Sequence, residues 1–251
     1  MTLLDILPSL RSVVRPRVES APGPRTIHAE VIDEADFRYR ARCHRKALPG
    51  TKVLYAGTTL STTSVARWAA EENLGAAVCS PTELATVLAG GINPARVIYH
   101  GLATRDGMQA AVQAGVGRIV VESKRELTYL AGITRRPRHV LLRSGDLAAA
   151  VIAEPTLRLV GLYCRLGAEA VTSEQYRDAA HRMVVAMADL RRAHGVVLGE
   201  LYIGDARLEL QELAGCVDDA LDAACAAERF PRPLMGIECH ARAGFPPISR
   251  R

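Results

Sequence analysis

The sequence predicts an α/β chain folded as a (β/α)8 (TIM) barrel, and three observations carry the prediction. Short, almost wholly apolar segments recur along the chain, separated by segments of helical period. Strands that lack apolar–polar alternation are buried on both faces, as in a parallel sheet covered by helices. No G-x-G-x-x-G follows the first of them, which removes the commonest sign of an open doubly wound sheet. About eight strand–helix units in 251 residues suit a closed barrel better.

The elements follow in order. Residues 1–25 carry Pro8, Pro16, Pro22 and Pro24 and read as an irregular leader, leaving 26–251 as one barrel domain. IHAEVID (27–33) reads as a short strand and ADFRYRARCHRKALPG (35–50) as a helix closed by Pro49 and Gly50. The barrel strands are then KVLYA (52–56), GAAVC (75–79), RVIYH (96–100), RIVVE (118–122), HVLLR (139–143), RLVGLYC (158–164), ELYIG (200–204) and PLMGIE (233–238). Between them, SPTELATVLAGG opens with Ser80 as N-cap, Pro81 at the first helical position and Glu83 two further on, a capping box. TSEQYRDAAHRMVVAMADLRRAHG repeats the device with Thr172 and Gln175 and ends at Gly195 after a basic last turn. Trp68 is expected on the apolar face of its helix, and Asp218, Asp219 and Asp222 on a solvated face.

Composition narrows the function classes. The chain is 49% hydrophobic and 24% charged, enough to bury a sizeable core. No apolar run is long enough to cross a bilayer and Met1 opens no signal segment, so no membrane and a cytoplasmic location are expected. Six cysteines without a C-x-x-C pair indicate neither a disulfide framework nor a zinc ribbon. The formal charge of +5 is dispersed and few aromatics accompany it, which argues against nucleic acid as a partner. Only three basic residues are lysines: Lys46, Lys52 and Lys124.

In a barrel of this kind chemistry gathers at the C-terminal ends of the strands. Those positions hold Thr58, Cys79 with Ser80, His100, Glu122, Arg143, Cys164 with Arg165, Asp205, and then Glu238, Cys239 and His240. The ring is polar and rich in acid–base groups.

The stretches VIDEADFRYRARC, LYAGTTL, VARWAAEENLGAAVCSPTELATVLAGGINPARVIYHG, AAVQAGVGRIVVES and LRLVGLYCRLG resemble the barrel domain of diaminopimelate decarboxylase. That family belongs to the pyridoxal-phosphate fold-type III group, with ornithine and arginine decarboxylases and alanine racemase. The resemblance runs over about residues 29–244 and is strongest over 53–123. It implies a Y-A-x-K pattern at the first strand end, whose lysine forms an imine with the cofactor. Here the pattern reads Tyr55, Ala56, Gly57, Thr58, and a hydroxyl cannot form an imine. The family's H-x-H-x-G-S becomes Tyr163–Ala168, keeping only Gly167. Its glycine run that cradles the phosphate becomes Gly204, Asp205, Ala206, placing a carboxylate where repulsion of a phosphate is on the order of 1 kcal/mol. Its E-P-G-R becomes Glu238, Cys239, His240, Ala241, Arg242. The connection after Arg143 is short and is expected to have lost a helix. The family's second, β-rich domain is not expected either, because the chain ends at FPPISRR after the eighth strand.

Three expectations follow. The first is a pseudoenzyme without cofactor, a regulator or partner of an intact decarboxylase or another protein. The second is a repurposed barrel, acting on or binding a small anionic ligand without pyridoxal phosphate. It would use His100, Arg143, Cys164, Arg165, Asp205, Glu238, Cys239 and His240, with guanidinium groups suited to carboxylate or phosphate. Its metal variant takes Cys164, Asp205, Cys239 and His240 as zinc ligands, against the plainer account of cysteine as a small buried hydrophobe. The third is residual pyridoxal-phosphate chemistry through Lys124 or non-covalent binding. TTLSTT (58–63) reads as a helix cap, with a hydroxyl-lined anion pocket as the alternative.

Overall fold

Repeated apolar runs and capped amphipathic segments alternate through the structure, a computed structural model that describes residues 32–101, 104–166, 172–206 and 210–239, with the backbone alone for 205, 206, 210, 211 and 214. The chain enters helix α1 (Glu34–Ala47) through Asp33, whose carboxylate accepts from the Asp36 N–H at 3.0 Å. Acidic residues open α1 and basic ones close it, matching the helix dipole. The strand expected over 27–33 lies mostly outside the described residues, and Ile32 and Asp33 are not part of one.

Strands and helices then alternate: β1 (Lys52–Ala56), α2 (Thr63–Glu71), β2 (Gly75–Val78), α3 (Pro81–Ala89), β3 (Val97–His100), α4 (Arg105–Ala114), β4 (Arg118–Val121), α5 (Lys124–Ile133) and β5 (Arg138–Leu142). After a single 3-10 turn come α6 (Ala148–Ala153), β6 (Leu157–Arg165), α7 (Ser173–His194), β7 (Glu200–Ala206), α8 (Leu210–Glu228) and β8 (Leu234–Cys239). Each strand pairs in parallel with the next, and β8 pairs with β1, so the sheet is a closed barrel. The helix expected to be missing between β5 and β6 is present but short. Its alanine-rich run favours helix, and Pro155 forces Glu154 out of the helical region and ends it early.

Side chains alternate across the sheet. Val53 and Tyr55 of β1 point outward to the helices, while Leu54 points in. The interior is filled by Leu54, Ile98, Val120, Leu141, Tyr163 and Tyr202, each 4% exposed or less. Burying a large apolar side chain there stabilises by roughly 1.5–3 kcal/mol. Two glycines make room for the tyrosines. A Cβ at Gly236 would lie 2.1 Å from the Tyr202 ring, and one at Gly204 would lie 1.8 Å from the Tyr163 hydroxyl. Below the apolar layer, Lys52, Arg118 and Glu200 close the N-terminal end. Arg118 Nε donates to Glu200 Oε2 at 2.7 Å, and Lys52 Nζ lies 3.2 Å from Oε1.

Two smaller expectations hold, each with an added contact. Trp68 is half-buried, tilted against Phe37 at 6.0 Å between ring centroids. Asp218 and Asp222 do face solvent, yet both pair with Arg232, one turn of α8 presenting two carboxylates to one guanidinium. No helix among the described residues is long and apolar enough to cross a membrane.

Candidate functional site

Parity along the strands decides which strand-end groups meet at the C-terminal mouth. His100 ends β3, Tyr163 and Arg165 sit at the end of β6, and Glu238 lies near the end of β8. The Tyr163 hydroxyl donates to Glu238 Oε2 at 2.6 Å. The His100 ring packs edge-on to Tyr163, with centroids 4.7 Å apart and planes at 69°. Its Nε2 lies 3.8 Å from Glu238 Oε2, beyond hydrogen-bonding range, and is buried without a hydrogen-bond partner among the described residues.

Electrostatics sets the protonation states. Burial pushes the His100 imidazolium pKa down to about 3, and the positive charges of Arg165 and Arg143 push the same way. The ring is therefore neutral near pH 7, and its approach to Glu238 is not an ion pair. Burial, then the Glu238 charge, hold the Tyr163 phenol well above its ordinary range, so it stays a donor. The Cys79 thiol, above β2, is pushed up to about 12 by burial, with Glu83 and Glu238 adding to it. It is no thiolate nucleophile. At the rim Arg143 Nη1 donates to Glu122 Oε1 at 2.7 Å, a partly exposed pair.

The helices that follow β2 and β4 carry one device twice. Ser80 accepts from the Glu83 N–H at 3.1 Å, and Ser123 from the Glu126 N–H at 3.2 Å. In each, the glutamate reaches back one residue further than a capping box requires. Glu83 accepts from the Cys79 N–H at 2.8 Å and Glu126 from the Glu122 N–H at 2.7 Å. Both strand ends are thereby fixed at the mouth. TTLSTT acts as a cap, Thr62 accepting from the Val65 N–H.

His100, Arg143, Arg165 and Glu238 thus come together, with Glu122 at the rim. Cys164 and Cys239 do not. Both pack outward in the layer between sheet and helices, because Tyr163 and Glu238 hold the inward phase of their strands. Burial raises both thiols, to about 11 and about 12. The metal variant loses its two sulfur ligands by this correction, and among the described residues no group of three or more His, Cys, Asp or Glu is placed to hold an ion. Asp205 lies in β7 with its side chain outside the described set, and His240 lies outside the described residues. Sequence reasoning missed Tyr163 as the partner of Glu238, and Glu83 and Glu126 as anchors. Strand parity held the first signal, and the repeated S-x-x-E held the second.

The barrel agrees with the comparisons. A model of the pyridoxal-dependent decarboxylases, pyridoxal binding domain, matches residues 34–146, from α1 to just past β5. The diaminopimelate decarboxylase of Actinosynnema pretiosum subsp. auranticum is 31% identical, over 95% of this chain and 68% of that protein. The chain belongs to the pyridoxal-dependent decarboxylase family. Diaminopimelate decarboxylase of Mycobacterium tuberculosis is 34% identical over 64% of this chain, which spans 44% of that relative. Solved decarboxylase structures share the fold at lower identity. Diaminopimelate decarboxylase of M. jannaschii in complex with L-lysine gives a TM-score of 0.74 at 14% identity, over 82% of this chain and 59% of that one. The Helicobacter pylori enzyme complexed with L-lysine gives 0.72 at 17%, over 83% and 62%.

The decarboxylase family's cofactor asks for an amine at the end of β1, and the residues present do not fit it there. Thr58 is exposed on the turn that follows β1, where the Thr59 N–H bonds the Ala56 carbonyl at 2.8 Å. Lys52 lies at the opposite end of the barrel on Glu200. Lys46 is exposed in the last turn of α1, and Lys124 is the exposed first residue of α5.

Proposed function

We propose that this decarboxylase-family barrel does not perform the family's imine chemistry and acts as a non-catalytic regulatory or partner protein, its counterpart an intact decarboxylase. One observation carries the reading: Thr58 stands at the end of β1, and none of the three lysines projects from that strand end. The Tyr163–Glu238 bond and the neutral His100 support it, since the inward carboxylate already has a donor and the mouth offers neither amine nor thiolate. The test is titration of the purified chain with pyridoxal phosphate, followed by borohydride. No reducible imine absorbance is expected, and Thr58→Lys alone is expected not to create cofactor-dependent turnover. A reducible band that disappears in Lys124→Met would replace this reading with residual pyridoxal-phosphate chemistry. Recovery of a full-length decarboxylase with the chain from native lysate is the expected sign of the partner role.

A second reading rests on His100 Nε2, a buried polar atom without a hydrogen-bond partner among the described residues, beside two guanidinium groups. It favours a small anionic ligand at the C-terminal mouth, with Arg143 and Arg165 neutralising its charge. Bound small molecule released on denaturing the purified protein, and lost in Arg165→Gln, supports this reading over the partner role.

A further inference from the structure

The opposite end of the barrel carries charge that neither reading uses. A cavity of about 310 Å³ opens at the N-terminal mouth, beneath the apolar interior. Arg45, Lys52, Arg96 and Arg118 line it, and among the described residues no aspartate or glutamate does. Leu54 and Ile98 form its apolar floor.

The neighbouring carboxylates do not balance these cations. Glu200 serves both Lys52 and Arg118. Glu72 is shared by Arg42 at 3.1 Å, Arg45 at 3.8 Å and Arg38 at 3.6 Å, the last of which also pairs with Glu34 and Glu71. Arg96 bonds through Nη1 to the carbonyl and side-chain oxygens of Asn73 and makes no ion pair among the described residues. The Lys52 ammonium is pulled below its ordinary value by burial, with Glu200 opposing the shift and Arg118 adding to it. The Lys52–Glu200–Arg118 cluster ties β1, β7 and β4 together across the barrel. The guanidinium groups of Arg45 and Arg96 stand outside that plug, on the cavity wall.

We propose that the N-terminal mouth is a binding site for a small organic anion, a carboxylate or phosphate ester with an apolar body. The head would be held by the Arg45 and Arg96 guanidinium groups with Lys52 and Arg118 behind them, and the body would rest on Leu54 and Ile98. A volume near the lower end of ligand pockets restricts the occupant to a molecule of modest size. None of these residues reaches the C-terminal mouth, so the site stands whether or not the partner reading holds.

Phenyl phosphate and benzoate are the probes, titrated calorimetrically into the full chain at low ionic strength, with benzyl alcohol as the uncharged match. Saturable binding of at least one anion is expected, weakening as salt rises, with no binding of the alcohol. Arg96→Gln and Arg45→Gln are each expected to weaken binding at least tenfold. Neither side chain belongs to the barrel plug, and circular dichroism confirms the fold of each variant. Failure of both anions to bind would overturn the proposal, as would binding that both variants leave unchanged. Loss of binding in Arg143→Gln with Arg96→Gln unaffected would overturn it too, by moving the anion to the other mouth.

Discussion

His100 is the residue whose surroundings most constrain the site. Tyr163 faces its ring, Glu238 lies 3.8 Å from Nε2, and Arg143 and Arg165 contribute positive charge from the ends of β5 and β6. Folded, it takes a proton only near pH 3, whereas an unfolded histidine takes one near pH 6.5. The unfolded chain therefore binds more protons between those values, and stability falls as pH drops through that window. Above pH 6.5 the effect is flat. Between pH 7 and pH 5 this residue is expected to remove about 2 kcal/mol of stability. Urea denaturation at a series of pH values checks it: His100→Gln should flatten the dependence relative to the parent, and parallel profiles would show that the ring is not buried neutral. Parity places His100 in the barrel, and its low pKa comes first from burial there, to which arginines 43 and 65 positions away in the chain add.

At the scale of elements, local chemistry explains most of what forms. Thr172 accepts from the Gln175 N–H at 3.3 Å while Gln175 accepts from the Thr172 N–H at 2.9 Å, a complete capping box at the start of the 22-residue α7. Thr172→Ala is expected to cost about 1 kcal/mol, read as a lower urea midpoint at unchanged slope, with Thr172→Ser retaining most of it. This box is legible in sequence because its partners lie three residues apart. The S-x-x-E boxes of α3 and α5 are legible in spacing but not in outcome. Their glutamates bond the residue before the cap, since Cys79 and Glu122 present their N–H groups where the strands end. The short α6 was misjudged from sequence because six residues ended by a proline leave little helical period to detect.

For the molecule as a whole, closure between β8 and β1 joins residues nearly two hundred positions apart and stacks a charged layer under an apolar one. Among the described residues Glu200 is the only carboxylate that meets both Lys52 and Arg118, and its side chain is 14% exposed. Glu200→Gln would leave two cations facing each other at the barrel floor. A loss of about 2 kcal/mol is expected, moderated by the partial exposure of Lys52, and visible as a lower Tm that Lys52→Met partly restores. A Tm unchanged by Glu200→Gln would show that water screens the cluster fully.

Apart from the short α6, the sequence by itself determined the order of strands and helices, the caps, the parallel barrel and the absence of a lysine at the first strand end. All of these rest on periodicity, on bonds between near neighbours, or on a residue's identity. Tertiary structure alone decided that Tyr163 meets Glu238, that Cys164 and Cys239 turn away from the mouth, and that Arg45, Arg96 and Arg118 line one cavity. Those outcomes depend on strand phase and on closure of the sheet. A shift of one residue in either would exchange the inward and outward faces without altering any local signal.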